Sequence, residues 1–386
     1  MKTNKNIKAN KMLDKLENKI TNLCPAKDDY DRLLRHYYGS KIYYLENHFL
    51  KNVVSFFLIP FVLRKLKKKT IDFKEKVDAV ITSPDKAYLL QDEDLPDDLK
   101  IKFPQRKTIF SERNSLLRSA GDYTIDEEGL KLINRCYKKY RLYHFMILTV
   151  ILHLGRVTTL IKRYRPKAII STQVEQDFSS SIISHYCESQ GVAFICVQHG
   201  EYCYNPSMAY MRFTKYYAWD KETIDIFEMT NNKIDFAVIY TPKKLTRQIV
   251  KKANPNSFIT YYLSGEEKKD FYNIREALEL FTSRGYKCCV RSHPRATNTK
   301  RLEQVFKNSN VKIEDSRKIS INDSLADTKY IVSYRSTVSS EALMNNLQAA
   351  IDDVTQDYQL LERVNDPNIK RIKLRLSGLM KEYLGK

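Results

Sequence analysis

Residues Lys287–Arg295 read KCCVRSHPR. A run suited to a buried strand leads directly into Arg291, Ser292 and His293, and Pro294 then ends the strand because it has no N–H to give to a ladder. His293 is thereby left at the carboxyl edge of a sheet. A helix-like stretch begins near Asn298, and its free N–H groups, with Arg291 and Arg295 beside them, suit a phosphate.

The same grammar extends in both directions. Short β-branched or apolar runs recur at Ala79–Thr82, Ala168–Ser171, Val192–Val197, Phe236–Tyr240, Phe258–Leu263, Val311–Ile313, Tyr330–Ser333 and Gln348–Ile351, with longer helix-like segments between them. Strand then helix, repeated, predicts an α/β fold of parallel sheets covered on both faces. The polar segment Thr241–Ser257, which carries two prolines, separates two such series and reads as the inter-domain connection. At 386 residues the chain is long enough for two domains. The expected organisation is a basic, partly apolar helical segment over 1–70, a first Rossmann-like domain over 71–250 and a second over 251–386. Two such domains in tandem are expected to face each other across a cleft lined by strand ends.

Composition narrows the function. Apolar residues make up 42%, enough for a substantial core, and Lys plus Arg exceed Asp plus Glu by 66 to 46, so an anionic partner is expected. The 10 glycines never form G-x-G-x-x-G or a P-loop, which disfavours the usual dinucleotide oxidoreductases and P-loop nucleotidases. Seven cysteines without a C-x-x-C read as reduced, buried thiols of a cytosolic protein. No apolar h-region follows the basic N-terminus, so no secretory signal is expected. No G-x-S-x-G elbow is present, so an α/β-hydrolase would lack its nucleophile. His and Cys are scattered without zinc spacing, so no metal site is expected. Asp92, Glu93 and Asp94 spell D-x-D but lie in an acidic, proline-flanked segment that reads as a solvated loop.

Two apolar stretches bear on membranes. In the first 70 residues 16 Lys or Arg stand against 6 Asp or Glu, and within them Val53–Leu63 (VVSFFLIPFVL) runs into Arg64, Lys65, Lys67, Lys68 and Lys69. It falls short of the ~20 residues a spanning helix needs. It reads either as a core helix with a solvated basic end or as a helix resting on an anionic membrane surface. Leu142–Leu154 is also too short and reads as a buried helix.

Three further strand ends carry polar clusters. After Tyr330–Ser333 come Tyr334, Arg335, Ser336, Thr337, Val338, Ser339 and Ser340, a run whose clustered hydroxyls either donate to phosphate oxygens or cap the next helix. After Ala168–Ser171 come Glu175 and Asp177, each a candidate general base or a helix cap. After Val192–Val197, the turn Gln198, His199, Gly200 offers His199 as a third candidate base.

These motifs resemble those of bacterial GT-B glycosyltransferases, in particular the sialyltransferase, polysialyltransferase and Kdo transferase group of capsule and lipooligosaccharide synthesis. Members of that group share a His-Pro motif and a serine-rich motif that hold the nucleotide phosphate. The likeness rests on His293-Pro294 and on Ser336, Thr337, Ser339 and Ser340, while Gln198-His199-Gly200 is similar to a turn of capsule and teichoic acid transferases. It covers roughly residues 165–355. The acidic pair followed by glycine found in such sialyltransferases is not matched by Glu175, Gln176, Asp177 and Phe178.

The resemblance implies a GT-B-like pair of domains and metal-independent transfer with no cofactor beyond a nucleotide-sugar donor, CMP-linked in that group. It places the donor against Arg291, His293, Pro294, Arg295, Ser336, Thr337, Ser339 and Ser340. Asp177, Glu175 or His199 would deprotonate the hydroxyl of a glycan or lipid-linked acceptor. Basic surface, including Lys370, Arg371, Lys373 and Arg375, would hold the enzyme on the cytoplasmic face of an anionic membrane. A CDP-polyol phosphotransferase of the teichoic acid type and a nucleotide-sugar 2-epimerase share the expected fold. A non-catalytic nucleic-acid-binding protein would also use the charge, but no nucleic-acid motif is present and no nucleic-acid partner is expected.

Overall fold

The computed structural model describes residues 25–43, 48–83, 90, 92–110, 122–172, 177–200, 202, 208–246, 248–266, 268–294, 297–363 and 366–385. The chain forms two compact units, the first running up to residue 199 and again over 204–240, the second comprising 200–203 and 241–386. Each is built on a parallel sheet of six strands.

In the first unit the elements are α1 (Asp29–Tyr43), α2 (Phe49–Lys68), β1 (Ala79–Ser83), α3 (Asp97–Lys102), β2 (Arg106–Phe110), α4 (Glu127–Lys139), α5 (His144–Tyr164), β3 (Ala168–Ser171), α6 (Ser180–Ser189), β4 (Ala193–Val197), β5 (Arg212–Ala218), α7 (Lys221–Met229) and β6 (Lys233–Ile239). The sheet order is β2-β1-β3-β4-β5-β6, a doubly wound order that reverses direction between β1 and β3. Alternate strand residues serve opposite faces. Ile81, Ile170 and Ile195 pack with Leu95, Leu99 and Phe103 around α3, whereas Val80 packs with Leu160 and Tyr164 of α5. Helix α5 contains the apolar run Leu142–Leu154 almost entirely. It is long and apolar enough to cross a bilayer, but 67% of its most apolar window is buried inside the unit.

The second unit contains β7 (Ser257–Tyr262), α8 (Lys268–Thr282), β8 (Cys288–Arg291), α9 (Thr299–Phe306), β9 (Lys312–Glu314), α10 (Ile321–Ala326), β10 (Thr328–Ser333), α11 (Thr337–Met344), β11 (Ala349–Ile351), α12 (Tyr358–Arg363), α13 (Pro367–Arg371), β12 (Leu374–Arg375) and α14 (Leu376–Leu384). Its order, β12-β11-β10-β7-β8-β9, is the dinucleotide-fold order 3-2-1-4-5-6 read from the other edge. Ile259, Tyr261, Val290 and Val332 face α8, α9 and α14, while Tyr262, Ile331 and Ile351 face α10, α11 and α12. Full burial of each such side chain contributes about 1.5–3 kcal/mol. These two all-parallel units match the pair of Rossmann-like domains, with parallel sheets, expected from the strand–helix alternation.

Both units turn from helix to strand on a glycine. Gly191 after α6 (φ 68°) and Gly285 after α8 (φ 87°) adopt the left-handed region that side chains disfavour, and the next residues close back on the helix through Val192 N–H to Cys187 O (2.9 Å) and Tyr286 N–H to Phe281 O (3.1 Å). Asp92–Asp94, expected as a solvated loop, forms a short 3-10 turn. Asp92 is exposed and ion-paired with Arg106 at 2.7 Å, but Asp94 is buried.

Candidate functional site

In the second unit the sheet reverses direction between β7 and β10, so the loops leaving their carboxyl ends diverge and open a crevice. A cavity of about 460 Å³ lies there. The end of β7 supplies Tyr262, Leu263 and Ser264, and the end of β8 supplies Arg291, Ser292, His293 and Pro294. Ser316 and Ile321 follow β9, and Arg335, Ser336, Thr337 and Val338 follow β10. The His-Pro strand end and the start of the hydroxyl-rich helix, 43 positions apart in sequence, thus line a single cavity. A groove of about 450 Å³ at the opposite, amino edge of β7, β8 and β9 is lined by Lys287 and Lys312 among others, away from the edge where α/β sheets hold ligands.

Local hydrogen bonds position each wall. The N–H of His293 donates to Thr297 Oγ1 at 2.7 Å, and the Thr297 N–H returns to the His293 carbonyl at 3.3 Å, which fixes the turn around Pro294 before Asn298 caps α9. Ser336 is the N-cap of α11, its Oγ accepting from the Val338 N–H at 3.3 Å. The first-turn N–H groups of a helix lack intrahelical partners and carry its positive dipole end, and here they open on the cavity that His293 lines.

The first turn of the sheet is arranged differently. In dinucleotide folds the N–H groups after the first strand cradle pyrophosphate. Here the carboxylate of Glu266 accepts from the N–H groups of Ser264 (2.7 Å) and Gly265 (2.9 Å) and from Ser264 Oγ (2.9 Å). The chain's own anion occupies that nest, which leaves the α11 end as the anion-receptive face of the cavity.

Several expected donor residues are placed otherwise. Arg291 lines the cavity, but its guanidinium is ion-paired with buried Glu314 and donates to the Ile319 carbonyl at 2.8 Å, so it is a wall support rather than an available phosphate ligand. Ser339 and Ser340, expected to hold phosphate, do not line the cavity. Helical rotation carries them inward, where Ser339 Oγ bonds Ser333 Oγ at 2.6 Å and Ser340 Oγ lies 3.4 Å from Asn368 Oδ1. Arg295 lies outside the described residues. Arg335, part of the strand-end cluster in the sequence but given no role there, lines the cavity and lies 3.7 Å from Asp366. Burial pushes the Asp366 carboxyl above its ordinary value, and Arg335 offsets that only in part.

In the first unit Asp177 follows β3 and His199 follows β4, neighbouring strands of one sheet. Asp177 is engaged: its Oδ2 lies 2.7 Å from His153 Nδ1, and its Oδ1 accepts from the N–H (2.9 Å) and Oγ (2.7 Å) of Ser179 at the start of α6. A small cavity of about 40 Å³ at the β1/β3 reversal is lined by Asp177, His153, Arg156, Thr82, Ser171 and Ser180, among others. Burial lowers the Arg156 guanidinium from its ordinary value, and it donates to Thr82 Oγ1. Neither His153 nor Arg156 was legible as a site residue, since both sit within α5 away from any strand end, His153 in its apolar run and Arg156 two residues beyond it. Glu175 lies outside the described residues.

Gln198, beside His199, is buried and ties two strand ends together. Its Oε1 accepts from the Trp219 N–H at 2.6 Å, and its carbonyl accepts from Trp219 Nε1 at 3.2 Å. Among the described residues no group of three or more His, Cys, Asp or Glu could hold a metal ion.

No family model matches the chain. No curated protein matches it either. Among solved structures it is similar to a UDP-N-acetylglucosamine 2-epimerase from Rickettsia bellii, at 12% identity and TM-score 0.46 over 76% of this chain and 87% of that one. It is also similar to UDP-GlcNAc 2-epimerase from Neisseria meningitidis bound to UDP-GlcNAc (8%, TM-score 0.47, 81% and 91%) and to the calicheamicin glycosyltransferase CalG4 (8%, TM-score 0.42, 82% and 90%). These are likenesses of general architecture.

Proposed function

We propose that the chain is a nucleotide-sugar-dependent glycosyltransferase whose second unit holds the donor phosphate in the β7/β10 cavity. The observation that carries this reading is the convergence of His293 and the Ser336–Thr337 start of α11 on one cavity at the reversal point of the sheet. Transfer of a glycosyl group leaves negative charge on the departing phosphate. An imidazole, hydroxyl donors, the positive end of α11 and Arg335 are the groups that stabilise such charge. A first-unit base, with Asp177 and His199 as the described candidates, would take the acceptor proton. A CMP-linked acidic sugar as donor, and a surface polysaccharide or lipid-linked acceptor, rest on the His-Pro and serine-rich resemblance.

A thermal-shift panel of CMP, CDP, UDP and GDP tests the donor site. One nucleotide should stabilise the protein, and His293→Ala should weaken it by about 10- to 100-fold in Kd, the size of one charge-assisted hydrogen bond. Stabilisation by none of them would end the reading. Product analysis then separates the chemistries: nucleotide release coupled to sugar transfer supports a transferase, phosphopolyol transfer the teichoic-type reaction, and an epimerised sugar without acceptor the epimerase.

A further inference from the structure

Helix α2 has two faces of opposite kind. Ser55, Ile59, Val62 and Leu66 recur at i, i+4, i+7 and i+11 and are buried in the unit. Leu66 packs closely on α5, where a Cβ built on Gly155 would meet its Cδ2 at 3.1 Å. The opposite face is apolar and open to solvent. Phe49, Leu50, Val54, Phe57 and Phe61 are 69%, 74%, 54%, 70% and 56% exposed. At ~100° per residue these positions fall within one arc of about 140°, centred on the side away from the buried stripe. Contiguous exposure of this kind marks a docking surface rather than ordinary surface scatter.

The charge on the same helix selects the partner. Its 20 residues contain no carboxylate, and its last turns present Arg64, Lys67 and Lys68 on the arc of the exposed ridge, with Lys65 and Lys69 beside them. The Lys65 ammonium also lies 4.5 Å from the Phe61 ring centroid, which brings charge and apolar surface together. An apolar ridge continuing into cations matches a bilayer whose acyl boundary takes the rings while its anionic headgroups take the lysines. With its inner stripe packed against α5, the helix cannot cross a membrane.

We infer that α2 is a membrane-docking helix, lying in the interface of an anionic lipid bilayer with Phe57 and Phe61 inserted and Arg64 to Lys69 on the headgroups. This surface works independently of the nucleotide cavity, so its test needs no donor.

The test is co-sedimentation of the full chain with vesicles of phosphatidylcholine alone or mixed with phosphatidylglycerol. The wild type should bind the anionic vesicles, and added salt should weaken binding. Phe57→Ser/Phe61→Ser should lose at least tenfold in affinity while keeping the wild-type circular dichroism melt, because both rings are exposed. Arg64→Gln/Lys68→Gln should bind less and lose part of the salt dependence. Wild-type protein that stays in solution with anionic vesicles, or a double-serine variant that binds them as well as the wild type, would overturn the inference. So would a concentration-dependent dimer abolished by the serine substitutions, since a second copy would then be the occupant of the ridge.

Discussion

Arg291 and Glu314 form a buried ion pair in the wall of the second-unit cavity, the two residues only 5% and 8% exposed. Removing one member of such a pair leaves the other charge desolvated and unpaired, which costs about 3–5 kcal/mol. Arg291→Ala should therefore lower the free energy of unfolding by that amount, read by urea titration at neutral pH. Replacing both, as Arg291→Met/Glu314→Leu, should recover most of it. A stable Arg291→Ala protein that had lost nucleotide affinity would instead make Arg291 a direct ligand.

The hydroxyls around α11 divide by helical face. Thr337→Val should weaken nucleotide binding with little effect on stability, because that side chain lines the cavity. Ser339→Ala should do the reverse, leaving the buried Ser333 hydroxyl without its partner and costing about 1–3 kcal/mol with affinity unchanged. Equal loss of affinity in both variants would contradict the assignment of faces.

What the sequence could and could not express follows from these placements. The strand–helix alternation exposed nine of the strands, because a strand covered on both faces must be a nearly continuous apolar run, as Ala168–Ser171 is. It missed β5 (RFTKYYA), whose Lys215 and Thr214 are only half-buried, the edge strand β2 (RKTIF), and the two-residue β12. His293 and Ser336 were legible because they sit where a strand pattern ends. The roles of Ser339, Ser340 and Arg291 were not, since they depend on which way a helix rotates and on a partner, Glu314, that arrives from another strand. The Ser264-Gly265-Glu266 turn after β7 carries its own signal in the sequence, a carboxylate placed to accept from the first-turn N–H groups.

Gln198 offers a structural control. Gln198→Leu would remove the side-chain acceptor of the Trp219 backbone N–H in a buried site, a loss of about 1–3 kcal/mol. Trp219 is the chain's one tryptophan, so its fluorescence reports this strand junction without interference. A lower unfolding midpoint by fluorescence is expected, and an unchanged midpoint would mean the glutamine does not hold the junction.

Asp366 carries a pH signature. Its carboxyl is raised by burial, with Arg335 and the Asn368 N–H pulling it back only in part. The folded protein thus retains a proton over a window in which the unfolded chain has released it, and stability falls as pH rises through that window. The contribution is fully present below the ordinary Asp value of about 4 and is lost as the pH passes the folded one. Asp366→Asn removes this slope, so the variant should gain on wild type in unfolding free energy as the pH is raised from about 4 towards neutrality. A constant difference would show that the carboxyl titrates normally.

Asp177 and His153 separate a chemical role from a capping one. Asp177→Asn keeps an oxygen for the Ser179 N–H but removes the negative charge facing His153 Nδ1. If the pair accepts the acceptor proton, turnover should fall by about 10²–10⁴, the range for loss of a general base. Nucleotide affinity should hold, because the cavity proposed to hold the donor is built from second-unit residues. His153→Gln should give the same pattern. Full turnover in Asp177→Asn with a modest loss of stability would make Asp177 a cap for α6 alone, and His199 would then be the described first-unit base to replace next.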